Sequence, residues 1–437
     1  MLDIKYIKEN KKAIQKAAQE KKINLNIEEL LALSEKRKQL LKEIEELRFQ
    51  RNELAAENKK GKPSREKIAK GRELKEKISK LEEEFRKVTD AFEELMVKVP
   101  TIPSADTPKG KDDSENVEVF RWREPTKFDF QPKSYMELAK ELDLIDFERG
   151  VKVSGYRGYY LKNEAVLLVM GAMMYALEKL IAKGFVPIIP PTIVKEFVLF
   201  GSGYFAGRKY NPETDEIYKL ANEDKDAAGK TLKESKFLVG TAEPSLLAYY
   251  ANEILPEEAL PIKFVGFSQC YRSEIGSYGK DTKGIYRVHE FMKVEQVCLT
   301  RADIEEADKI HNEMVSISEE LHRDLGFPYR KLQICTGDMS AGKYKMFDLE
   351  AWIPSRNGWG ETGSASNFLD WQSRRLNVRY QKKSGQKKFV YMLNNTALAS
   401  ARTLIAILEN YQQKDGSVLV PSVLKKYVGK GRIGPRK

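Results

Sequence analysis

The sequence predicts two parts, a large α/β core and an accessory module that is an N-terminal all-α antiparallel coiled-coil arm. Three observations carry this expectation. Apolar residues between Leu30 and Leu95 recur in steps of three and four with one interruption, period-two alternation governs the segments around Arg272 and Phe291, and helical periodicity returns after Asn394. At 437 residues the chain exceeds one typical domain, and the boundary is expected near residue 110, dividing 1–110 from 111–437.

The arm comes first. Leu30, Leu33, Arg37, Leu40, Ile44, Leu47, Arg51 and Leu54 form one seam, and Ile78, Leu81, Phe85, Val88, Phe92 and Leu95 form a second. Gly61 and Pro63 break the pattern between them, so the chain folds back as a hairpin over residues 27–98. Helices of about thirty residues at ~1.5 Å each make it ~45–50 Å long. Its charge is lopsided: from Lys59 to Lys80 there are ten basic residues, among them Lys59, Lys60, Lys62, Arg65, Lys67, Lys70, Arg72 and Lys75, against three acidic ones. A cationic outer half on a rigid arm fits a nucleic-acid backbone, and a dimerisation coiled coil with solvated faces is the alternative. "VPTIPSADTPKGKDDSENVEV" then reads as a linker.

Composition sets outer limits. A net charge of +11 points to a polyanionic partner, and 32% charged residues indicate a heavily solvated surface. Cys270, Cys298 and Cys335 are too widely spaced for a disulfide framework or a zinc site, which fits a reducing cytoplasm. The start "MLDIKYIKENKKAIQ" has no apolar core and no window reads as membrane-spanning, so neither export nor a membrane anchor is expected.

In the core, period two places Arg272 and Glu274 on one strand face in "GFSQCYRSE". The same count aligns Arg287, His289, Phe291 and Glu295 in "YRVHEFMKVEQV". The intervening loop, with Gly276, Gly279, Lys280, Lys283 and Gly284, suits a wide hairpin. Arginine forks match phosphate oxygens and an aromatic face stacks a purine, so the floor suits ATP, while a surface hairpin with cross-strand ion pairs fits the spacing equally. "GETGSASN" adds Glu361 and Ser364, a carboxylate and hydroxyl suited to Mg²⁺ bridging phosphates. "LNNTALASARTLIAILENY" opens a helix with Arg402 on its first turn and Leu404, Ile405 and Leu408 facing inward.

These segments resemble a known family. "YRSEIGSYGKDTKGIYRVHEFMKVE" is similar to motif 2 of the class II aminoacyl-tRNA synthetases in its seryl-tRNA synthetase form. "KGFVPIIPP" (183–191) resembles the motif 1 dimer segment, the stretch from Asn395 resembles motif 3 with Arg402 at its arginine, and "LVGTAEPSL" resembles the serine-site segment. The resemblance covers essentially the whole chain, basic arm included. It implies an α+β fold with an antiparallel sheet flanked by helices, a homodimer, and a cytoplasmic, ATP- and Mg²⁺-dependent ligase that joins L-serine to AMP and then to the 3′ end of tRNA(Ser), gripped by its long variable arm, with tRNA(Sec) a further substrate. Zinc is not expected.

Carried over by motif position, Arg272 would contact the α-phosphate and serine carboxylate, Glu274 the adenine, Phe291 the purine face, Arg287 the outer phosphates and Arg402 the γ-phosphate side. Ser273, Thr362 and Gly363 would complete the ATP site, with Glu361 and Ser364 at the metal. Thr241, Ala242, Glu243, Glu295 and Thr396 would bind serine, aided by Arg272. No general base is assigned, and His289 is read as structural. Glu290, "ETGSASN" and "NNT" depart from the family pattern. The stretch 201–236 reads as a long loop, either a lid or a surface insertion, and the tail "KKYVGKGRIGPRK" as a frayed basic terminus. Two other readings are a carrier-protein ligase, whose relatives lack the basic arm, and a retired RNA-binding protein, which would have lost Arg272, Glu274, Glu295 or Arg402.

Overall fold

The computed structural model describes residues 2–58, 64–275 and 283–435, in two compact units that divide between Ile102 and Pro103. The boundary expected near residue 110 therefore shifts upstream. Pro103 onward is bound into the second unit, with Ser104 donating to the Tyr344 carbonyl and Thr336 to that of Pro108. Gly61, Pro63, Lys59, Lys60 and Lys62 lie outside the described residues, as do Gly276, Gly279, Lys280, Arg436 and Lys437.

The first unit is built on helices α1 (Ile27–Asn58) and α2 (Arg65–Met96), each 32 residues and so ~48 Å long. They run antiparallel, since pairs across the seam climb one helix while descending the other: Arg37 to Thr89, Arg48 to Glu82, and Glu57 to Lys67. Leu30, Leu40, Ile44, Leu74, Ile78 and Val88 are buried along it. Arg37 holds its seam position by lying over the Phe85 and Phe92 rings at 5.6 and 5.5 Å. Arg51 does not: it is exposed. At the base, Ile7, Ile14, Ala18 and Leu25 from the preceding segment close a small core with Ile27, Leu30, Met96 and Val99.

The second unit holds an eight-stranded sheet. Its strands are β1 (Val117–Trp122), β2 (Val186–Ile188), β3 (Ile262–Tyr271), β4 (Glu290–Thr300), β5 (Tyr329–Gln333), β6 (Lys345–Ile353), β7 (Gly358–Asn367) and β8 (Tyr391–Ala399). The spatial order is β1-β5-β6-β7-β8-β4-β3-β2, antiparallel throughout except for the edge pair β2–β3. Helices α3 (Glu164–Ala182), α4 (Ile304–Leu325) and α5 (Ser400–Asn410) share one core with it. Alternation along β4 assigns its faces: Val294 and Cys298 enter that helical core, while Val297 and Leu299 join a second cluster with Ala242, Leu246 and Leu376.

Three expectations need correction. Helix α3 is long and apolar enough to cross a bilayer, contrary to the expectation that no window would be. Here Ala165, Leu168, Val169, Ala172 and Leu180 pack into the core. The predicted strands stop short, at Tyr271 and from Glu290, so Arg272, Glu274, Arg287 and His289 lie beyond the ladder. The tail is not frayed over its described part: Lys426, Lys430 and Arg432 pair with Glu178, Glu164 and Asp415 at 2.8, 2.6 and 2.8 Å, and Tyr427 packs against Gly171.

Candidate active site

Arg272 and Arg402 line one cleft enclosing about 500 Å³, together with Glu274, Arg287, Phe291, Glu361, Gly363 and Thr396. Arg272 follows the end of β3, its N–H donating to the His289 carbonyl and its guanidinium 5.4 Å from the Phe291 ring centre. His289 returns a ring nitrogen to the Arg272 carbonyl at 2.8 Å, a structural use. Glu274 turns through positive φ (54°), and its buried carboxylate sits 3.3 Å from Arg287 and 3.6 Å from Arg157. Arg402, on the first turn of α5, donates to the Glu361 carbonyl at 2.9 Å, approaches the Glu361 carboxylate at 3.3 Å and lies over the Tyr286 ring at 4.7 Å.

A bulge explains how Glu361 and Ser364, three residues apart, share a face. Glu361 opposes Glu350 and Gly363 opposes Leu349, so Thr362 is the extra residue and the parity resets after it. Its hydroxyl turns away from the cleft, 2.7 Å from buried His322 Nε2 and 3.0 Å from the Leu349 carbonyl. Only the backbone of Thr362 is thus left for a ligand. Ser364 opposes Asp348, whose Oδ1 is buried with no hydrogen-bond partner among the described residues. Burial, then Glu361, pushes Asp348 well above the ordinary carboxylate range. Burial acts on Glu361 the same way, but Arg402 and Arg272 outweigh it and hold that carboxyl low. Asp348 carries no signal in the sequence that spacing could have found.

Deeper in the floor, Glu295 opposes Thr396. The Thr396 hydroxyl donates to Glu295 at 3.1 Å, and Lys293 reaches both, at 2.6 Å from Glu295 and 3.2 Å from Thr396. Lys293 shares the parity of Phe291 and Glu295, so alternation alone contained it. Gly363 is required beside them: a Cβ there would meet the Thr396 carbonyl oxygen at 2.9 Å.

The Thr241–Glu243 turn reaches this floor because Gly266 opposes Glu295, and a side chain at Gly266 would strike Ala242 Cβ at 2.7 Å. Ala242 itself faces the apolar cluster and not the cleft, contrary to expectation. Thr241 is buried, its hydroxyl oxygen accepting from the Glu243 N–H. Glu243 is buried too, and burial followed by Glu295 raises its pKa. Ser273 does not line the cleft; its N–H faces the Glu216 carbonyl. Residues 203–218 of the long loop pack around Phe205, Tyr210, Ile217 and Phe237, walling a second cleft of about 760 Å³ that also reaches Arg272. The exposed cations Arg65, Lys67, Lys70, Arg72 and Lys75 lie on α2, Lys67 pairing with Glu57 at 2.9 Å.

Among the described residues no cluster of His, Cys, Asp and Glu has the makings of a metal cage on its own. What the cleft offers is three guanidiniums, an aromatic ring and the Glu361 carboxylate, a composition suited to a nucleoside triphosphate, while Ser364 and Asp348 lie outside its lining.

Known proteins give the same picture. The class II tRNA synthetase core domain (G, H, P, S and T) matches residues 219–411, and the seryl-tRNA synthetase N-terminal domain matches residues 1–103. The serine–tRNA ligase of Rubrobacter xylanophilus is 40% identical over 438 residues, covering 100% of this chain and 99% of that protein. That of Treponema denticola is 42% identical over 451 residues, covering 99% and 100%. The structure of seryl-tRNA synthetase from Pyrococcus horikoshii complexed with ATP superposes with a TM-score of 0.86 at 38% identity, covering 100% of both chains.

Proposed function

The chain belongs to the seryl-tRNA synthetase family, class II ATP-dependent serine–tRNA ligases, and on that footing we propose that serine activation takes place in the cleft between Arg272 and Arg402. The serine carboxylate attacks the α-phosphorus of ATP, the bond to the pyrophosphate oxygen breaks, and negative charge gathers on the phosphate oxygens. Arg272 neutralises that charge at the α-phosphate, while Arg287 and Arg402 hold the outer phosphates. Phe291 stacks the purine beneath Arg272. Glu274, now paired with two arginines, is the adenine contact. The 3′ ribose hydroxyl of tRNA(Ser) then attacks the acyl carbonyl and AMP leaves.

Mg²⁺ fits beside Glu361 and Ser364, because Ser364 opposes Asp348, whose buried Oδ1 has no hydrogen-bond partner among the described residues. Bound there, the ion would supply charge neutralisation at the phosphates. Thr241, Glu243, Glu295 and Thr396 form the serine pocket; a site whose buried polar groups are matched to a hydroxyl rejects alanine strongly. Thr362 and Gly363 contribute backbone only, and Ser273, outside the cleft, is left out of the ATP site.

The exposed apolar residues Val166, Leu167, Met170 and Ile181 of α3, continued by Val186 and Ile189, are the homodimer face that the motif 1 segment implies. The α2 cations grip the long variable arm of tRNA(Ser), and a cytoplasmic setting follows from that substrate. The single observation carrying this reading is that two arginines 130 positions apart in the chain share one cleft with Phe291 and Glu361. Pyrophosphate exchange into ATP with a panel of amino acids tests it, followed by charging of tRNA transcripts with and without the variable arm. Serine-specific exchange that is abolished in Arg272→Ala is the expected result; retained exchange in that variant refutes the assignment.

A further inference from the structure

Glu243 and Glu295 are both buried acids near the serine floor, yet they are held in opposite ways. Glu295 is bound to a cation, Lys293, at 2.6 Å. Glu243 is held by two neutral donors, one on each oxygen: the Tyr204 hydroxyl at 2.9 Å on Oε2 and the Gln372 amide at 2.8 Å on Oε1. The Gln372 NH₂ also donates to the Ser202 carbonyl at 3.0 Å, so two acceptors fix which way the amide points. Tyr204 stands at the start of the 203–218 segment, immobilised by the aromatic packing of Phe205 on Phe237 and by Asp215, which accepts from the Ala206 and Asn211 N–H groups.

We propose that Tyr204 and Gln372 are positioning residues that fix the Glu243 carboxylate through neutral hydrogen bonds, so that Glu243 faces the substrate ammonium while Glu295, already paired with Lys293, serves the hydroxyl. This rests on the serine-activation reading. Neutral donors orient a carboxylate and favour its charged form, here against burial and Glu295, without setting a countercharge on it. A cation in the place of either donor would orient it equally well and compete with the ammonium. The 203–218 segment is accordingly a fixed wall of the amino-acid site through Tyr204.

The test is serine-dependent pyrophosphate exchange by the full-length protein across pH 5.5–8.5. Tyr204→Phe keeps the ring and deletes one charge-assisted hydrogen bond; the serine KM should rise about tenfold while the ATP KM stays within about twofold of wild type. The same loss raises the Glu243 pKa, so the acid limb of kcat/KM for serine should move to higher pH. Gln372→Glu sets a second acid against Glu243, and its serine KM should rise at pH 8 and partly recover near pH 6, where the new acid can carry a proton and donate. A serine KM and acid limb equal to wild type in either folded variant would overturn the proposal, as would a parallel rise in the ATP KM. Absence of serine-dependent exchange in the wild type would instead sink the parent reading and this one with it.

Discussion

Lys293 and Glu295, two positions apart on β4, form an ion pair of 2.6 Å whose side chains retain only 6% and 2% of their exposure. A pair buried to that degree gains little net stability, because desolvation offsets most of the attraction. Breaking it is another matter. Lys293→Met strands the Glu295 charge, and we expect a loss of about 3–5 kcal/mol in unfolding free energy together with loss of serine-dependent exchange. Adding Glu295→Leu should recover much of the stability and none of the activity. Denaturant melts and exchange assays on the single and double variants check this; additive destabilisation would contradict it.

Asp348 gives a prediction of opposite sign for stability. Its carboxyl is raised by burial and by Glu361, so the fold disfavours the ionised form and is destabilised by it increasingly as pH rises. Asp348→Asn should therefore melt higher than wild type at pH 8, with the gain shrinking as pH falls and the native carboxyl takes up its proton. Activity should demand about tenfold more Mg²⁺, since one oxygen of the cation set has been removed. A Mg²⁺ titration of exchange that superposes on wild type would remove Asp348 from the metal site.

How much of this was legible depends on the distance over which residues meet. The arm was readable because its seam is local, repeating every three or four residues, and Arg402 because a helix start leaves a local signature. Alternation reached Phe291 and Glu295, and Lys293 shares their parity. Arg157, Tyr204 and Gln372 come from segments without periodicity and meet the site only through tertiary packing, so no spacing announces them. Asp348 depends on strand register. The bulge at Thr362 misleads outright: parity puts Glu361 and Ser364 on opposite faces, and the extra residue reunites them. Helix α3 carries no amphipathic signature because it is apolar both where it meets the core and on its exposed residues Val166, Leu167 and Met170.

Acid sensitivity should come from two histidines outside the cleft. His311 and His322 on α4 are fully buried, and burial lowers each to about 4 from an ordinary 6.5. The unfolded chain thus takes up protons that the folded one refuses. Stability is complete above about pH 6.5 and falls as pH drops towards 4, with a limiting slope of one proton per histidine. His322→Gln keeps a partner for the Thr362 hydroxyl and should remove about half of that slope. Melts between pH 7.5 and 4.5 measure it; an unchanged slope would mean His322 is not the group responsible.

The arm's role can be isolated because its base and its outer part are separable. Ile27, Leu30, Met96 and Val99 hold the N-terminal residues in a small core, so cutting at the helix ends would unravel more than the hairpin. Arg37 and Thr89 offer a better place. They face each other across the seam at 3.3 Å, and replacing residues 38–88 by a short Gly-Ser turn would join them with little distortion. The excised part carries Arg65, Lys67, Lys70, Arg72 and Lys75 along with Lys59, Lys60 and Lys62. Every cation withdrawn from the phosphate backbone weakens RNA binding and flattens its salt dependence. Serine-dependent exchange should stay within about threefold of wild type, since no cleft residue is removed, whereas charging of tRNA(Ser) should fall by a factor on the order of a hundred or more. The remaining charging should no longer respond to deletion of the variable arm from the transcript. Charging that survives the excision at the wild-type rate, with its salt dependence intact, would assign the grip on tRNA to some other surface.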